Sequence, residues 1–242
     1  MKRLFDLIVA TFGLLVSLPV LAPVCALIWL QDFHSPFYIA PRIGRGGRLF
    51  RMIKLRSMVI RADKTGVDST AKADPRITPI GKFVRKCKLD EVPQLWNVVR
   101  GEMSLVGPRP NVERETRLYT AVEQGLLSVR PGITDFASIV FSDEGDILEG
   151  KPDPDVAYNQ LIRPWKSRLG LFYIERRNLW VDVRLIGLTI LAGLSRRSAL
   201  GGVAGILAKR RAPAELVKVA RREEPLVPTP PPGATEVVTS RG

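Results

Sequence analysis

Residues 89–110 read LDEVPQLWNVVRGEMSLVGPRP and are the most informative stretch of the chain. Asp90 and Glu91 stand side by side just before a short predicted helix. Pro93 falls in the first turn of that helix, where its missing N–H does no harm. Gly101 is placed to end the helix. The apolar side of the helix is formed by Leu95, Trp96, Val98 and Val99.

Two adjacent carboxylates at a helix start fit a nucleophile and metal-ligand pair. The free N–H groups and the positive end of the helix dipole also attract phosphate oxygens. Asp is equally a preferred N-cap and Glu is ordinary in a first turn, so the dyad alone favours a capping role. Arg109 follows in a Gly-Pro-Arg-Pro turn, whose prolines fix the backbone around a side chain able to bind phosphate in bidentate fashion.

The charge of the chain points to a polyanionic partner. Lys and Arg number 37 against 24 Asp and Glu, a net charge of +13. Nucleic acid, an anionic membrane surface and phosphorylated substrates all fit such an excess. Cys25 and Cys87 provide neither a disulfide framework nor zinc spacing. His34 is the single histidine, which argues against a His-based triad or a His-rich metal site.

The N-terminal segment is apolar enough to enter a membrane. Residues 7–30 contain no charge and would reach about 36 Å as a straight helix. A signal peptide, a single-pass anchor and a re-entrant helix compete as interpretations, but no convincing cleavage site follows the segment. Basic residues flank both ends, which favours the cytoplasmic side for both. Pro19 and Pro23 predict a kink in the middle, so a re-entrant helix and a kinked spanning helix both stay open at this point.

The remainder predicts a helix-rich α+β domain with a small β-hairpin. Residues 37–39 and 49–55 read as two strands around a turn at residues 44–47. Further helices are predicted over residues 79–86, 112–127, 155–163 and 169–194. The last either lies partly on the membrane surface as an interfacial amphipathic helix or is an ordinary core helix. The predicted organisation is a membrane helix at residues 1–35, a catalytic domain at 36–194, and a basic, Pro-rich, largely disordered tail at 195–242.

Seven short motifs in register resemble one family, the bacterial sugar transferases, also described as monotopic phosphoglycosyl transferases. The resemblance covers about residues 1–194. The motifs are Lys2-Arg3-Leu4-Phe5-Asp6, Lys54-Leu55-Arg56-Ser57-Met58, Asp74-Pro75-Arg76-Ile77-Thr78, Gly81-Lys82-Phe83-Val84-Arg85, Leu89-Asp90-Glu91-Val92-Pro93-Gln94-Leu95, Gly107-Pro108-Arg109-Pro110 and Pro131-Gly132-Ile133-Thr134.

The resemblance implies transfer of a phosphosugar from a UDP-sugar to polyprenyl (undecaprenyl) phosphate, with UMP leaving and a glycoconjugate or exopolysaccharide being initiated. It implies a re-entrant N-terminal helix and a catalytic domain on the cytoplasmic face of the inner membrane. Anionic membrane lipids are expected partners, a homodimer stays open, and no nucleic acid is expected. The competing hypothesis, a membrane-anchored nucleic-acid tether, rests on the +13 charge alone, and no helix-turn-helix or RNA-binding aromatic motif supports it.

By the same resemblance, Asp90 is the nucleophile that forms an aspartyl-phosphosugar, and Glu91 helps to hold Mg²⁺ together with Asp90. Phosphate or nucleotide contacts fall to Lys54, Arg56, Arg85 and Arg109, each of which could instead be a structural ion-pair partner. Asp182 is expected to form a supporting salt bridge, and Pro19 to support the membrane helix.

The chain departs from the family pattern in two places. Lys88 stands where Ser is common, and it could lower the pKa of Asp90 or contact substrate. Residues 135–138, Asp-Phe-Ala-Ser, replace the usual continuation after the Pro-Gly-Ile-Thr turn. This second departure leaves the sugar specificity open.

Overall fold

The chain begins with one long apolar helix, α1, Lys2–Leu30. The computed structural model describes residues 1–62 and 74–240. By length and composition, α1 is able to cross a membrane. It keeps Pro19 and Pro23 inside, and the Ser17 hydroxyl donates to the Leu14 carbonyl at 2.9 Å. The apolar N-terminal helix is therefore confirmed, and its re-entrant course stays a prediction.

One side of α1 packs against the rest of the chain near both ends of the helix. Asp6 and Ala10 are buried near its start, and Val24 and Ile28 near its end. The opposite side exposes large apolar residues at near-helical spacing, among them Leu4, Ile8, Phe12, Leu15 and Val16. Such an uncovered apolar side is what a membrane-facing helix presents.

Two small sheets follow. Strands β1, Phe37–Ile43, and β2, Leu49–Leu55, form the predicted antiparallel hairpin. Its turn contains Gly46 and Gly47 at φ of 68° and 75°, a region that glycine enters without strain. Strands β3, Ser104–Val106, and β4, Gly132–Thr134, pair in parallel. The sequence analysis missed this second sheet because three-residue strands carry no readable alternation.

Helices make up most of the remaining domain. α2, Pro79–Lys86, begins as predicted at Thr78, whose side chain accepts a hydrogen bond from the Gly81 N–H at 2.9 Å. The others that follow within the domain are α3 (Gln94–Arg100), α4 (Glu113–Arg117), α5 (Phe136–Val140), α6 (Glu144–Leu148), α7 (Pro154–Leu161), α8 (Arg163–Arg176) and α9 (Leu179–Leu194).

Two predicted helices are wrong in extent. Residues 112–127 form α4 and a separate 3-10 turn, Glu123–Ser128, because Glu123 turns inward to pair with Arg163. Residues 169–194 are divided between α8 and α9. The Asn178 side chain accepts from the Val181 N–H at 2.9 Å and starts α9 as its N-cap.

The tail predicted to be largely disordered is instead mostly packed. α10, Arg196–Lys209, and α11, Ala214–Arg221, bury Leu200, Val203 and Leu207 in the main core. Small and apolar residues recur there at helical spacing, a pattern that the basic composition obscured. The Pro-rich residues 225–240 also make contacts with α7 and α8, such as the Thr229 N–H donating to the Gln160 carbonyl at 3.0 Å. The three-part division of the chain stays a prediction.

Candidate active site

The acidic dyad lies in a 3-10 turn, Leu89–Glu91, directly before α3. Val92 and Pro93 keep right-handed helical angles, so the turn runs into α3 almost without interruption. Pro93 is the N-cap of α3, and Gly101 ends it at φ 83°. Among the described residues, neither dyad carboxylate caps a helix. The capping interpretation of the dyad is therefore wrong.

One oxygen of the Asp90 carboxylate is buried and accepts no hydrogen bond from the described residues. Its Oδ1 atom has no hydrogen-bond partner in residues 1–62 and 74–240. Burial raises the pKa of Asp90, and the charge of Glu91 raises it further, against the opposing charges of Lys54, Arg85 and Lys88. Lys88 thus lowers the pKa of Asp90, as expected, but the net shift of this pKa is upward. A desolvated carboxylate oxygen without a donor is free for bond formation, and leaving it unpaired destabilises the fold.

Glu91 is held by Arg109 in a two-pronged ion pair. The two guanidinium nitrogens lie 2.6 and 2.9 Å from the two carboxylate oxygens, and both side chains keep about a quarter of their exposure, 25% for Arg109 and 23% for Glu91. Burial alone would raise the pKa of Glu91, but the charges of Arg109 and Lys54 outweigh it and hold the pKa at about 2. Glu91 therefore stays ionised at every physiological pH.

Lys54 brings a third charged group to the dyad from β2. Burial lowers its pKa to about 8, and the positive charge of Arg109 lowers it too, while Glu91 and Asp90 oppose the shift. A lysine with such a pKa changes charge close to working pH. Its position beside both carboxylates makes it a candidate phosphate contact.

Two further predicted basic residues lie in different settings. Arg85 is half-buried in the last turn of α2, and its charge lowers the Asp90 pKa, so it belongs to the dyad's surroundings. Arg56 instead forms an ion pair with Asp32, with its Nη2 2.7 Å from Oδ1, and also donates to the Ser35 carbonyl at 2.9 Å. The structure therefore uses Arg56 to fasten the end of α1 to β2.

The two residues predicted to support the fold lie away from the dyad. Asp182 is fully buried and accepts from Lys2 at 2.7 Å and from the Tyr173 hydroxyl at 2.6 Å. Pro19 lies inside α1. The Lys2–Asp182 salt bridge ties the first turn of α1 to α9.

Gln94 is a candidate site residue that the sequence analysis missed. It is fully buried, and neither atom of its side-chain amide has a hydrogen-bond partner in the described part of the chain. It stands four residues after Asp90 in nearly continuous helical backbone, so the two side chains share one side of the turn. That spacing was readable from the sequence. Two neighbouring buried polar groups without partners indicate a place where a ligand binds.

The far end of α3 is held by two arginines. Arg3 donates to the Val99 carbonyl at 2.8 Å, and Arg130 donates through Nε to the Gly101 carbonyl at 2.8 Å. Cations at a helix C-terminus satisfy its free carbonyls and stabilise its dipole. Arg3, in the basic start of the chain, thus helps to position the helix that follows the dyad.

The turn carrying Arg109 is also fixed by close packing. Gly107 approaches the strand end so tightly that a Cβ on it would lie 2.7 Å from the Arg130 carbonyl oxygen. Residues 135–138, where the chain departs from the family pattern, start α5. Asp135 caps that helix by accepting from the Ser138 N–H at 2.7 Å. Its predicted bearing on sugar specificity stays a prediction.

The donor set fits a magnesium ion shared with substrate. Magnesium takes one or two carboxylates and completes its shell with phosphate oxygens and water. The free Oδ1 of Asp90 meets that requirement, and each Glu91 oxygen keeps a lone pair beyond its bond to Arg109. In the described residues no cluster of three or more His, Cys, Asp or Glu forms an all-protein metal site.

Comparison with known proteins identifies the family. The bacterial sugar transferase family model matches residues 1–196. The UDP-galactose-lipid carrier transferase of Erwinia amylovora is 35% identical over 214 residues, covering 82% of this chain and 41% of the relative. The undecaprenyl-phosphate glucose phosphotransferase of Komagataeibacter xylinus is 37% identical over 206 residues, covering 82% of this chain and 36% of the relative. The chain belongs to the bacterial sugar transferase family and spans about two fifths of the length of these relatives.

A shorter relative extends the comparison. The exopolysaccharide production protein ExoY of Rhizobium meliloti (strain 1021) is 40% identical over 148 residues, covering 55% of this chain and 66% of the relative.

Proposed function

We propose that this chain transfers a sugar 1-phosphate from a UDP-sugar to undecaprenyl phosphate at a membrane surface. The observation that carries the proposal is the buried Oδ1 of Asp90, which has no hydrogen-bond partner among the described residues and lies in the field of Lys54 and Glu91. A bare carboxylate oxygen next to cations suits attack on a phosphorus atom. The names of two relatives, an undecaprenyl-phosphate glucose phosphotransferase and a UDP-galactose-lipid carrier transferase, support this reaction class.

The proposed reaction has two displacements. In the first, an Asp90 oxygen attacks the β-phosphorus, the bond from that phosphorus to the bridging oxygen breaks, and UMP leaves with the bond's electrons. In the second, a phosphate oxygen of undecaprenyl phosphate attacks the aspartyl phosphorus. The acyl phosphate bond then breaks, restoring the Asp90 carboxylate and giving the undecaprenyl diphosphate sugar. Dividing the transfer in this way lets two anionic substrates use one site in turn.

The other residues of the site act by position and charge. Arg109 holds Glu91 ionised, and Lys54 and Arg85 supply positive charge for phosphate oxygens. Asp90 and Glu91 are the residues that would hold Mg²⁺. When bound, the ion offsets the repulsion between the carboxylates and the diphosphate.

The proposed placement is the inner membrane with the catalytic domain on the cytoplasmic face. Both ends of α1 contact the same domain: Asp6 near the start accepts from Ser104 at 2.9 Å, and Asp32, just after its end, pairs with Arg56. A straight helix of 29 residues is about 43 Å long, so in a fully spanning helix the two ends would lie on opposite faces. Contact of both ends with one domain supports the re-entrant course. The exposed apolar side of α9, which includes Trp180 and Ile190, supports an interfacial position.

The reaction class is tested by incubating detergent-solubilised protein with Mg²⁺, undecaprenyl phosphate and single UDP-sugars from a panel. We expect UMP and a sugar-bearing lipid in equal amounts from at least one donor. When undecaprenyl phosphate is omitted, no lipid product should form, and UMP release should stop after a single turnover. Folded protein that forms no product with any donor of the panel would contradict the proposal.

A bell-shaped pH profile is expected for kcat/KM. Asp90 must be ionised to attack, and its pKa is raised, so activity falls as the pH drops through that value. Lys54 is a cation below its pKa of about 8 and loses its charge as the pH rises through it, which weakens phosphate binding on the alkaline side. Lys54→Arg should move the alkaline limb upward, since arginine stays charged there. A limb that stays near pH 8 in this variant, as in the exposed control Lys151→Arg, would remove Lys54 as its cause.

A further inference from the structure

A second basic cluster lines a cavity of about 140 Å³ at the first turn of α1. Its basic residues are Lys2, Arg3, Arg45, Arg130 and Arg177. In the described residues Asp6 is the one carboxylate of the lining. The cavity shares no lining residue with the dyad, Lys54 or Arg109. It is therefore a site separate from the proposed reaction centre.

The acidic groups near this cavity are already satisfied from within the fold. Asp6 accepts from the Ser104 hydroxyl at 2.9 Å and the Leu105 N–H at 3.3 Å. Asp182 lies behind the lining and accepts from Lys2 and Tyr173. Both carboxylates are thus bound within the fold, and in the described residues neither forms a hydrogen bond or ion pair with Arg45, Arg130 or Arg177.

Three arginines of the lining keep N–H donors that no described residue accepts. Arg45 and Arg177 are exposed, and neither has a hydrogen bond or ion pair within residues 1–62 and 74–240. Arg130 donates to the Gly101 carbonyl through Nε, which in the described residues leaves both of its Nη groups without a hydrogen-bond partner. Several guanidinium groups around one small cavity form a strong site for a phosphate group, because each offers paired donors that match phosphate oxygens.

The start of α1 indicates a lipid as the source of that phosphate. Lys2 and Arg3 of its first turn line the cavity, and the opposite side of the same turn begins an exposed apolar stripe. Leu4, Ile8 and Phe12 of this stripe are spaced four residues apart and are 63%, 59% and 67% exposed. With the stripe in the membrane, the cavity lies at the level of the headgroups, where lipid phosphates are found.

We propose that this cavity binds the phosphate of an anionic phospholipid headgroup. The proposal rests on the proposed membrane placement of α1. A headgroup seated there would contact β3, which also lines the cavity through Ser104 and leads directly into the turn that carries Arg109. Lipid binding would thus fix the depth of the catalytic domain at the membrane surface.

The test is binding of short-chain dihexanoyl phosphatidylglycerol to the detergent-solubilised full chain, followed as a rise in thermal midpoint. Dihexanoyl phosphatidylcholine and inorganic phosphate form the comparison arms. We expect phosphatidylglycerol to bind at least about tenfold more tightly than either. In R45Q/R177Q its affinity should fall by about tenfold or more, because two charges beside the phosphate are lost.

Matched variants make the outcome decisive. K151Q/R211Q removes two exposed charges elsewhere and should bind like the wild type. R45K/R177K keeps the charges but loses the paired donors, so it should lose less affinity than R45Q/R177Q. Unchanged binding in R45Q/R177Q, or equal binding of phosphatidylcholine, would overturn the site. Inorganic phosphate binding as tightly as phosphatidylglycerol would overturn the lipid as its source. No sugar donor is present, so these results are independent of whether the proposed transfer occurs.

Discussion

The Asp90→Asn variant is expected to lose at least about a thousandfold in kcat while remaining folded. An amide cannot form the acyl phosphate, so the whole two-step route is closed rather than slowed. Because Asp90 Oδ1 has no partner within the described residues, the substitution breaks no hydrogen bond there. It also removes a desolvated charge, so the thermal midpoint should be unchanged or higher. UMP release and thermal unfolding, measured on the same preparation, separate the two effects.

Glu149→Gln is the matched control, since it removes one carboxylate charge from an exposed position outside the dyad. It should keep wild-type turnover. Asp90→Glu tests geometry, because it keeps the carboxylate and displaces it by one methylene. We expect it to be severely impaired as well. An Asp90→Asn variant that turned over at more than about a tenth of the wild-type rate would exclude Asp90 as the nucleophile.

Arg163→Met is expected to destabilise the fold by about 3–5 kcal/mol, the largest stability effect that we predict. Arg163 and Glu123 form an ion pair at 2.6 Å with side chains 4% and 0% exposed. Removing the arginine leaves the Glu123 carboxylate buried, with the Ser167 hydroxyl and the Thr120 N–H as its remaining donors in the described part of the chain. For a chain of this size, the thermal midpoint should fall by on the order of 10 °C.

Arg117→Met supplies the matched control for this change. Arg117 also pairs with a glutamate at 2.7 Å, but the two side chains are 75% and 58% exposed. Exposed pairs at this spacing contribute about 0.3–0.5 kcal/mol, so its midpoint should barely move. Adding Glu123→Leu to Arg163→Met should restore much of the lost stability, since no charge is then left buried. Equal effects of Arg163→Met and Arg117→Met would contradict this account.

The sequence predicted the parts of the fold that local rules control. Thr78 and Gly101 mark helix ends because a cap and a left-handed glycine are local requirements. The hairpin follows from its glycine-rich turn. The parallel pairing of β3 and β4 was missed because it joins short segments that are far apart in sequence.

Long-range pairing also explains the two failed helices and the tail. Glu123 interrupts the predicted helix because its partner, Arg163, lies 40 residues away. α10 and α11 fall within the tail predicted to be largely disordered, and contacts with the main core bury residues such as Leu200 and Leu207. Long-range contacts of this kind cannot be read from a local window of sequence.

In the candidate site, the sequence identified the dyad and Arg109 but did not show which of the two carboxylates pairs with the arginine. Only the structure assigns Arg109 to Glu91 and shows that Asp90 Oδ1 has no hydrogen-bond partner within residues 1–62 and 74–240. Arg56 matched a basic family position, yet its partner Asp32 lies 24 residues earlier at the end of α1. Gln94 escaped notice because a buried amide without a partner is recognisable only once burial is known.

The most direct test of the proposed mechanism is the intact mass of the protein after mixing with Mg²⁺ and its UDP-sugar donor in the absence of undecaprenyl phosphate. We predict a mass increase equal to one sugar phosphate, located on the peptide that contains Asp90, together with one equivalent of UMP. The adduct should disappear when undecaprenyl phosphate is added. A protein that turns over with both substrates but never carries the adduct, under rapid quenching, would contradict the covalent route through Asp90.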